Sequence, residues 1–188
     1  DYNFIYTKPN TDIAADYAIY KVSDGLSESS IEIITFVIDS NRLDSRLSPS
    51  ALSDNVIMME DSESEITLIG FDIFGFPQDG SAEITITQNP ENGSIGTPQF
   101  EPSSTNQIAK WTVSYNPQSN FSGTDEIKYI VSNPSNNDSE SDEGSISISI
   151  TEVNDAPTLN SIADQETDED IPLQFPLSYN DFDNDIEL

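Results

Sequence analysis

The side chains of this sequence that could do acid–base or metal chemistry are carboxylates. Asp and Glu total 35 against 6 Lys and Arg, His and Cys are absent, and the formal net charge is -29. Without His or Cys, the chain has no ligand set for zinc, no thiol nucleophile, no disulfide and no Ser-His-Asp triad. So acidic a surface repels nucleic acid and anionic lipid, because binding to either depends on clustered Lys and Arg. The composition predicts a protein that attracts cations and has no nucleic-acid partner.

Six carboxylates and one amide are candidates for a shared cation site, namely Glu60, Asp125, Glu152, Asn154, Asp155, Asp181 and Asp183. Carboxylates that lie together repel each other unless a counter-charge lies between them. Ca²⁺ fits this need, because it accepts six to eight oxygens at about 2.3–2.6 Å, whereas Mg²⁺ demands a tighter octahedron and retains water. We therefore predict Ca²⁺ as the cofactor. The alternative is a solvated charge run without an ion, as in salt-adapted proteins.

The strands that must position these residues are predicted from the hydrophobic pattern. Apolar and polar residues alternate in several short runs, most clearly at 127–131 and 146–150, and turn-forming residues separate the runs. No window of helical length carries an apolar stripe, and no run approaches the roughly 20 apolar residues of a membrane span. The pattern predicts an all-β chain of Greek-key Ig-like sandwiches rather than a disordered one, with no membrane span in this segment.

The sequence also contains an internal repeat with a period of 109 residues. This offset superposes 60–61 on 169–170, and a separate comparison with the same offset superposes 16–23 on 125–132. A unit of about 100 residues is the size of an Ig-like sandwich. We therefore expect an interior piece of a longer tandem array, with one complete and two partial repeats: the C-terminal strands of repeat 1 at 1–38, a linker at 39–55, the complete repeat 2 at 56–153, a linker at 154–158, and the N-terminal strands of repeat 3 at 159–188.

Antiparallel alternation within repeat 2 brings the candidate ligands to one place. If the first strand ends near Glu60 at the bottom of the sandwich, the sixth strand starts at that end with Asp125 and the seventh returns there into Glu152. The same logic applied to repeat 3 puts Asp181 and Asp183 at the near end. We expect all seven candidates to lie at the second junction, between repeats 2 and 3.

The motifs at this junction resemble those of a known family. Glu-Val-Asn-Asp-Ala-Pro at 152–157 is followed by Asp-Glu-Asp at 168–170 and Asp-Phe-Asp at 181–183, while Tyr-Asn-Pro at 115–117 precedes Phe-Ser-Gly-Thr-Asp at 121–125. This order resembles the cadherin-like, VCBS-type tandem repeats of large bacterial surface adhesins. The resemblance implies an extracellular, calcium-stiffened rod on the bacterial cell surface, with matches to ligand-bearing motifs at Glu60, Asp125, Asn154, Asp155, Asp181 and Asp183.

From this resemblance we expect a structural stalk or spacer segment, whose partners are calcium ions and the neighbouring repeats of the same chain. The alternative is a binding module that grips a cell-surface glycan or protein through loops of the sandwich. We expect no enzyme. Paired carboxylates about 5–9.5 Å apart can hydrolyse glycosides, but a sandwich of about 100 residues leaves little room for a sugar cleft.

The first junction departs from this pattern. Phe74 takes the place that Asp183 has in repeat 3, and the linker at 39–55 holds both arginines of the chain, Arg42 and Arg46. We expect these arginines, with apolar packing by Phe74 and Phe76, to supply part of the neutralisation that calcium supplies at the second junction. Three other acidic residues are interpreted as ordinary solubilising charge: Asp61, Asp138 and Asp142.

Overall fold

A computed structural model describes residues 7, 15–22, 29, 32–38, 48–103, 105–136 and 139–183. Within these residues the elements are strands, apart from one short 3₁₀ helix at Pro134–Asn136. The all-β prediction is therefore confirmed. The strands are β1 (Ala15–Tyr20), β2 (Glu32–Val37), β3 (Ser50–Ala51), β4 (Asp54–Met59), β5 (Ser64–Phe71), β6 (Glu83–Gln88), β7 (Gly93–Ile95), β8 (Gln99–Glu101), β9 (Ile108–Pro117), β10 (Gly123–Asn133), β11 (Ser139–Glu140), β12 (Gly144–Thr151), β13 (Thr158–Leu159) and β14 (Tyr179–Asn180).

Residues 48–153 form a two-sheet sandwich, which we call the central sandwich. One sheet has the order β3–β5–β9–β7, with β8 also paired to β9, and the other has the order β4–β12–β10–β6, with β11 at the end of β10. β4 runs parallel to β12, and the other pairs are antiparallel. The first strand of the sandwich thus leaves one sheet after β3 and joins the other as β4. This arrangement is Ig-like.

The core of the central sandwich follows from the alternation of apolar residues. Along β12 the sequence Gly-Ser-Ile-Ser-Ile-Ser-Ile-Thr buries every second residue, and β10 buries every second residue from Asp125 to Asn133. Tyr129 of β10 is fully buried, and its hydroxyl donates to the Leu52 carbonyl at 2.6 Å and accepts from the Ile69 amide at 3.1 Å. This ring therefore fills the core while its polar end ties β10 to the opposite sheet.

Phe76 belongs to this same core. Its side chain is 3% exposed and lies in the cluster of buried residues of the central sandwich. The expectation that Phe76 packs the first junction is therefore wrong, because its side chain is part of the core of the central sandwich. Phe74 remains 43% exposed. Arg42 and Arg46 lie outside the described residues.

The strands that flank the central sandwich are two short pairs. The leading hairpin, β1 and β2, is antiparallel with Asp16 opposite Phe36. The trailing pair, β13 and β14, is also antiparallel, with Thr158 opposite Asn180. All residues from 156 to 180 are exposed to solvent.

The trailing pair repeats the β3–β5 pair of the central sandwich. In the first ladder Ser50 pairs with Phe71, and the Leu52 amide donates to the Ile69 carbonyl. In the second ladder Thr158 pairs with Asn180, and the Asn160 amide donates to the Ser178 carbonyl. The two ladders are displaced by 108 residues on the first strand and 109 on the second. The turn between the strands also recurs, because Asp61 (φ 54°) and Asp170 (φ 63°) both adopt the left-handed conformation. Local structure in these two pairs therefore recurs at an offset of 108–109 residues, and the division into repeats stays a prediction.

Candidate cation site

The lower end of the central sandwich begins at the turn after β4. Glu60 is 4% exposed, its amide donates to the Thr151 carbonyl at 3.0 Å, and its carboxylate Oε1 accepts from the Val153 amide at 2.7 Å. These two bonds hold the segment that leaves β12 against the end of β4. Glu60 therefore fixes the direction in which the chain leaves the sandwich.

Three aspartates from two segments meet just beyond this point. The Asp155 amide donates to Oδ2 of Asp183, and the Asp183 amide donates to Oδ1 of Asp181 at 3.1 Å. The Oδ2 atoms of Asp155 and of Asp181 are buried, and neither has a hydrogen-bond partner in the described part of the chain. A buried carboxylate oxygen without a donor is costly, so these two atoms are positions that a cation would stabilise.

The electrostatics of Asp155 show which other carboxylates are close. Its pKa is raised, first by burial and then by the negative charges of Asp61, Asp183, Glu60 and Asp181. We call Asp155 and these four carboxylates, Glu60, Asp61, Asp181 and Asp183, the junction cluster. Across the residues that the structure describes, none of them forms an ion pair with Lys or Arg. Within the described part of the chain, the negative charge of the cluster therefore has no balancing Lys or Arg.

The structure gives Asp125 a different environment. It is 7% exposed, and its carboxylate accepts four hydrogen bonds: Oδ1 from the amides of Glu91 and Glu126, and Oδ2 from the Asn92 amide and the Tyr115 hydroxyl, each at 2.9 Å. Burial and the hydrogen bond to Asp125 raise the pKa of Tyr115 above its ordinary value. These contacts hold the turn between β6 and β7 against β10, so the residue has a structural role that needs no cation.

The two remaining predicted ligands are exposed. Glu152 and Asn154 face solvent, and the Asn154 amide group donates to the Asp155 carbonyl at 3.1 Å. Of the seven predicted residues, the structure thus places Glu60, Asp155, Asp181 and Asp183 together, while Asp125, Glu152 and Asn154 are not part of the junction cluster.

Asp61 is the member of the junction cluster that the sequence interpretation assigned to solubility. Its left-handed conformation places it at the corner of the turn after Glu60, and its Oδ1 accepts from the Asn120 amide at 3.0 Å. The signal that could have found it was its match to Asp170 at the repeat offset. Asp61 therefore joins the candidate ligands.

The residues of the junction cluster suit calcium by chemistry, because all five supply carboxylate oxygens. Within the described ranges, however, no group of three or more acidic side chains is arranged to hold a metal ion as it stands. The structure therefore brings carboxylate charge and two oxygens without donors together, but not in the geometry of a metal site. A bound ion would have to draw these carboxylates inward.

The upper end of the central sandwich contains a second buried carboxylate with its own partners. Asp72 is 1% exposed, its Oδ1 accepts from the Phe74 amide at 2.8 Å, and its Oδ2 accepts from the Asn133 side-chain amide at 2.7 Å. These bonds join the loop after β5 to the end of β10. Asp72 therefore has a structural role.

The first junction is held by contacts that the sequence interpretation missed. Lys21 forms an ion pair with Asp54 at 3.0 Å, and the rings of Tyr17 and Phe71 lie 4.4 Å apart. These contacts join the leading hairpin to the start of the central sandwich by a lysine and aromatic rings. The contribution predicted for Arg42 and Arg46 falls outside the described residues.

Comparisons with known proteins point to the family of the central sandwich. Residues 47–151 match the profile of a family described as "Bacterial Ig domain". No curated protein gives a significant match. Among solved structures, an endo-fucoidan hydrolase of glycoside hydrolase family 107 aligns with a TM-score of 0.41 and 18% identity, covering 74% of this chain and 19% of that one. PapD-like domain 7 of human CEP192 aligns with a TM-score of 0.37 and 8% identity, covering 62% and 94%. At TM-scores this low, neither likeness bears on function.

Proposed function

Because this chain belongs to the bacterial Ig domain family, we propose that it is a structural spacer segment of a large adhesin-like surface protein, stiffened by calcium at the second junction. Bacterial Ig domains are typically extracellular or surface-associated. Among the described residues, none forms a helix long and apolar enough to cross a membrane. The role is mechanical, because a sandwich of about 100 residues adds reach without a cleft for chemistry.

The observation that carries this proposal is the junction cluster. Glu60 and Asp61 belong to the turn after β4, Asp155 follows β12, and Asp181 and Asp183 follow β14. The cluster therefore joins residues on both sides of the 154–158 linker. Without a cation the carboxylates repel and the linker is free to bend, whereas an ion shared between them fixes the trailing segment to the sandwich.

The size of the effect follows from binding linkage. An ion that binds only the docked junction stabilises it by RT ln(1 + [Ca²⁺]/Kd), and extracellular modules bind with a Kd of about 0.1–1 mM. At a free calcium concentration of about 1 mM, the docked state gains roughly 0.4–1.4 kcal/mol. This is a shift of about two- to elevenfold in the docking equilibrium, which is enough to change stiffness outside cells while leaving the fold of the sandwich unaffected.

The finer resemblance to cadherin-like, VCBS-type repeats is part of this proposal. Two contacts support it: Val153 donates to Glu60, and Asp155 donates to Asp183. Val153 and Asp155 belong to the Val-Asn-Asp-Ala-Pro run on which the resemblance rests. The run therefore acts as a connector whose backbone amides are bound by acidic residues from either side.

The test is calcium binding and shape in solution. Isothermal titration should give a sub-millimolar to millimolar calcium Kd, and small-angle scattering should show a narrower distribution of shapes with calcium than with chelator. Asp181→Asn and Asp183→Asn should each remove both responses while the central sandwich stays folded. Asp142→Asn, an exposed residue in the loop before β12, is the charge-matched control and should respond like the parent. If Asp183→Asn and the parent respond alike to chelator, the proposal fails.

A further inference from the structure

One pair of residues in the central sandwich has a chemical reactivity of its own. Asn92 is followed by Gly93, and no other Asn of the chain precedes a Gly. The backbone nitrogen of the residue after an Asn can attack the side-chain amide of that Asn, and Gly leaves the attack unhindered because it has no Cβ. Asn92 is half-buried, and within the described residues its hydrogen bonds are made by its backbone and not by its side-chain amide. The pair is therefore a candidate site of spontaneous covalent modification.

The reaction open to this pair is deamidation. The Gly93 nitrogen bonds to Cγ of Asn92 and gives its proton to water, while the bond from Cγ to Nδ2 breaks and Nδ2 takes up a proton and leaves as ammonia. The product is a succinimide ring. Water then adds to one of the two ring carbonyls and opens the ring, which gives either Asp or isoaspartate at this position. The whole reaction consumes water and releases ammonia, so it needs no enzyme, oxidant or reductant.

The fold holds the backbone of this pair away from ring closure. The Asn92 amide donates to Oδ2 of Asp125 at 2.9 Å, and the Asn92 carbonyl accepts from the Gln118 amide at 2.8 Å. That carbonyl and the Gly93 nitrogen belong to one planar peptide group, so the bond to Gln118 also fixes the nitrogen. Ring closure brings the nitrogen into line with Cβ of Asn92, which lies outside the ordinary backbone conformations. The peptide group must therefore rotate, and the β6–β7 turn must open.

Two further bonds hold the turn one residue earlier. The Glu91 amide donates to Oδ1 of Asp125 at 2.9 Å, and the Gln118 side-chain amide donates to the Glu91 carbonyl at 3.2 Å. β7 itself has only three residues and pairs with β9 at the end of its sheet. Segments with so few contacts open locally at a free energy below that of global unfolding. Asp125 and Gln118 therefore determine how often this turn opens.

We propose that Asn92 is a deamidation site whose rate is set by local opening of the β6–β7 turn, which Asp125 and Gln118 keep closed. The product weakens the same turn. Asp at this position adds a carboxylate to a residue whose amide is bonded to Asp125, and two such charges repel each other. Isoaspartate adds one carbon to the main chain just before β7. Deamidation thus records opening in the covalent chain and makes later opening easier. The junction cluster takes no part, so the reaction is independent of calcium.

The measurement is peptide mapping by mass spectrometry after incubation at mildly alkaline pH, where the attacking nitrogen loses its proton more readily. Deamidation should be concentrated at Asn92. It should be at least about tenfold faster in urea that unfolds the chain than in native buffer, because charged hydrogen bonds hold the closed turn. An Asn92 that stays intact in the unfolded chain, or that reacts equally fast in both states, overturns the proposal and leaves the calcium function untouched.

A surface variant tests the turn without disturbing the core. Gln118 is exposed, and Gln118→Ala deletes its side-chain bond to the Glu91 carbonyl. Loss of this neutral bond should raise the deamidation rate of the native chain about two- to tenfold. Ser119→Ala, on the neighbouring exposed residue, is the matched control and should react like the parent. Equal rates in Gln118→Ala and Ser119→Ala would contradict control by the turn.

A second pair of variants separates local opening from global unfolding. Asp125→Asn weakens both bonds from the carboxylate to the turn and should raise the native rate more than about tenfold. Val131→Ala lowers the stability of the whole sandwich from a buried position at the opposite end of β10, and should leave the rate close to that of the parent. Equal acceleration by the two variants would show that the reaction follows global unfolding, and would refute the proposal.

Discussion

Replacement of Asp125 is the sharpest test of which acidic residues are structural. Its carboxylate accepts four hydrogen bonds: two from amides of the β6–β7 turn, one from the Glu126 amide and one from the Tyr115 hydroxyl. We expect Asp125→Ala to destabilise the central sandwich by the same amount in calcium and in chelator. The reason is that protein donors surround the carboxylate, so its removal leaves those donors unpaired whatever the ion concentration.

The magnitude follows from these four bonds. A hydrogen bond to a charged group contributes about 1.5–3 kcal/mol, and such terms are not additive within one network. Removing one partner of a buried charged network costs about 3–5 kcal/mol, out of a total stability of about 5–15 kcal/mol for a domain. Tyr115→Phe deletes a single bond and should cost about 1.5–3 kcal/mol. Because both changes act on the same bond, the double variant should cost less than their sum.

The assay is urea unfolding followed by the fluorescence of Trp111, the one Trp of the chain, which is 3% exposed in the core. The midpoint of Asp125→Ala should fall equally with calcium and with chelator. If instead Asp125→Ala keeps the parent stability in chelator and loses only the gain that calcium gives, Asp125 is a metal ligand and the structural reasoning is refuted.

Two further predictions concern the turn and the junction. A Cβ on Gly93 would lie 2.6 Å from the Tyr115 ring, so Gly93→Ala should cost about 1–3 kcal/mol by overpacking, while thermal melting of the neighbouring exposed variant Ser94→Ala should match the parent. The pKa of Asp155 is raised from its ordinary value of 3.8, so this carboxyl group binds a proton more tightly in the docked junction than in the free segment. In chelator, docking should therefore strengthen as pH falls from neutral toward 3.8. Small-angle scattering at neutral and mildly acidic pH checks this prediction. Calcium should abolish the pH dependence of docking, and Asp155→Asn should lack it. A parent chain whose second junction becomes less docked on acidification would contradict the prediction.

The fold was predictable because the alternation of apolar residues is a local signal. Every second residue of β12 is apolar or Gly, and that pattern alone defines a strand with one buried face. The transfer of the first strand between sheets was not predictable, since residues 50–59 carry no signal for a change of partner. Phe76 was misassigned for a related reason, because a loop that folds over its own core looks the same in sequence as one that reaches out to a neighbour.

Strand direction predicts the end of the sandwich at which some of the candidate residues gather, whereas their binding of a cation stays a prediction. Strand direction brings Glu60, Asp155 and Asp183 to one end, which needs no knowledge of side-chain contacts. Strand direction does not show which hydrogen-bond donors and charges surround each carboxylate. Asp125 lies at the expected end of β10, but its carboxylate oxygens accept hydrogen bonds from backbone amides of the β6–β7 turn. Asp61 was missed because only its left-handed turn conformation brings it close to Asp155.

Buried carboxylates with hydrogen-bond donors and those without them lie at different places in the described part of the chain. Asp72 and Asp125 are both buried and accept amide or hydroxyl donors, whereas Asp155 and Asp181 each have a buried oxygen without a donor. Among the described residues little positive charge is available there, because Lys21, Lys110 and Lys128 form ion pairs with carboxylates elsewhere. Under the proposed function, we therefore expect stiffness at the second junction to follow the concentration of a divalent ion. Stiffness at the first junction, which is held by Lys21 and Tyr17, should not depend on it.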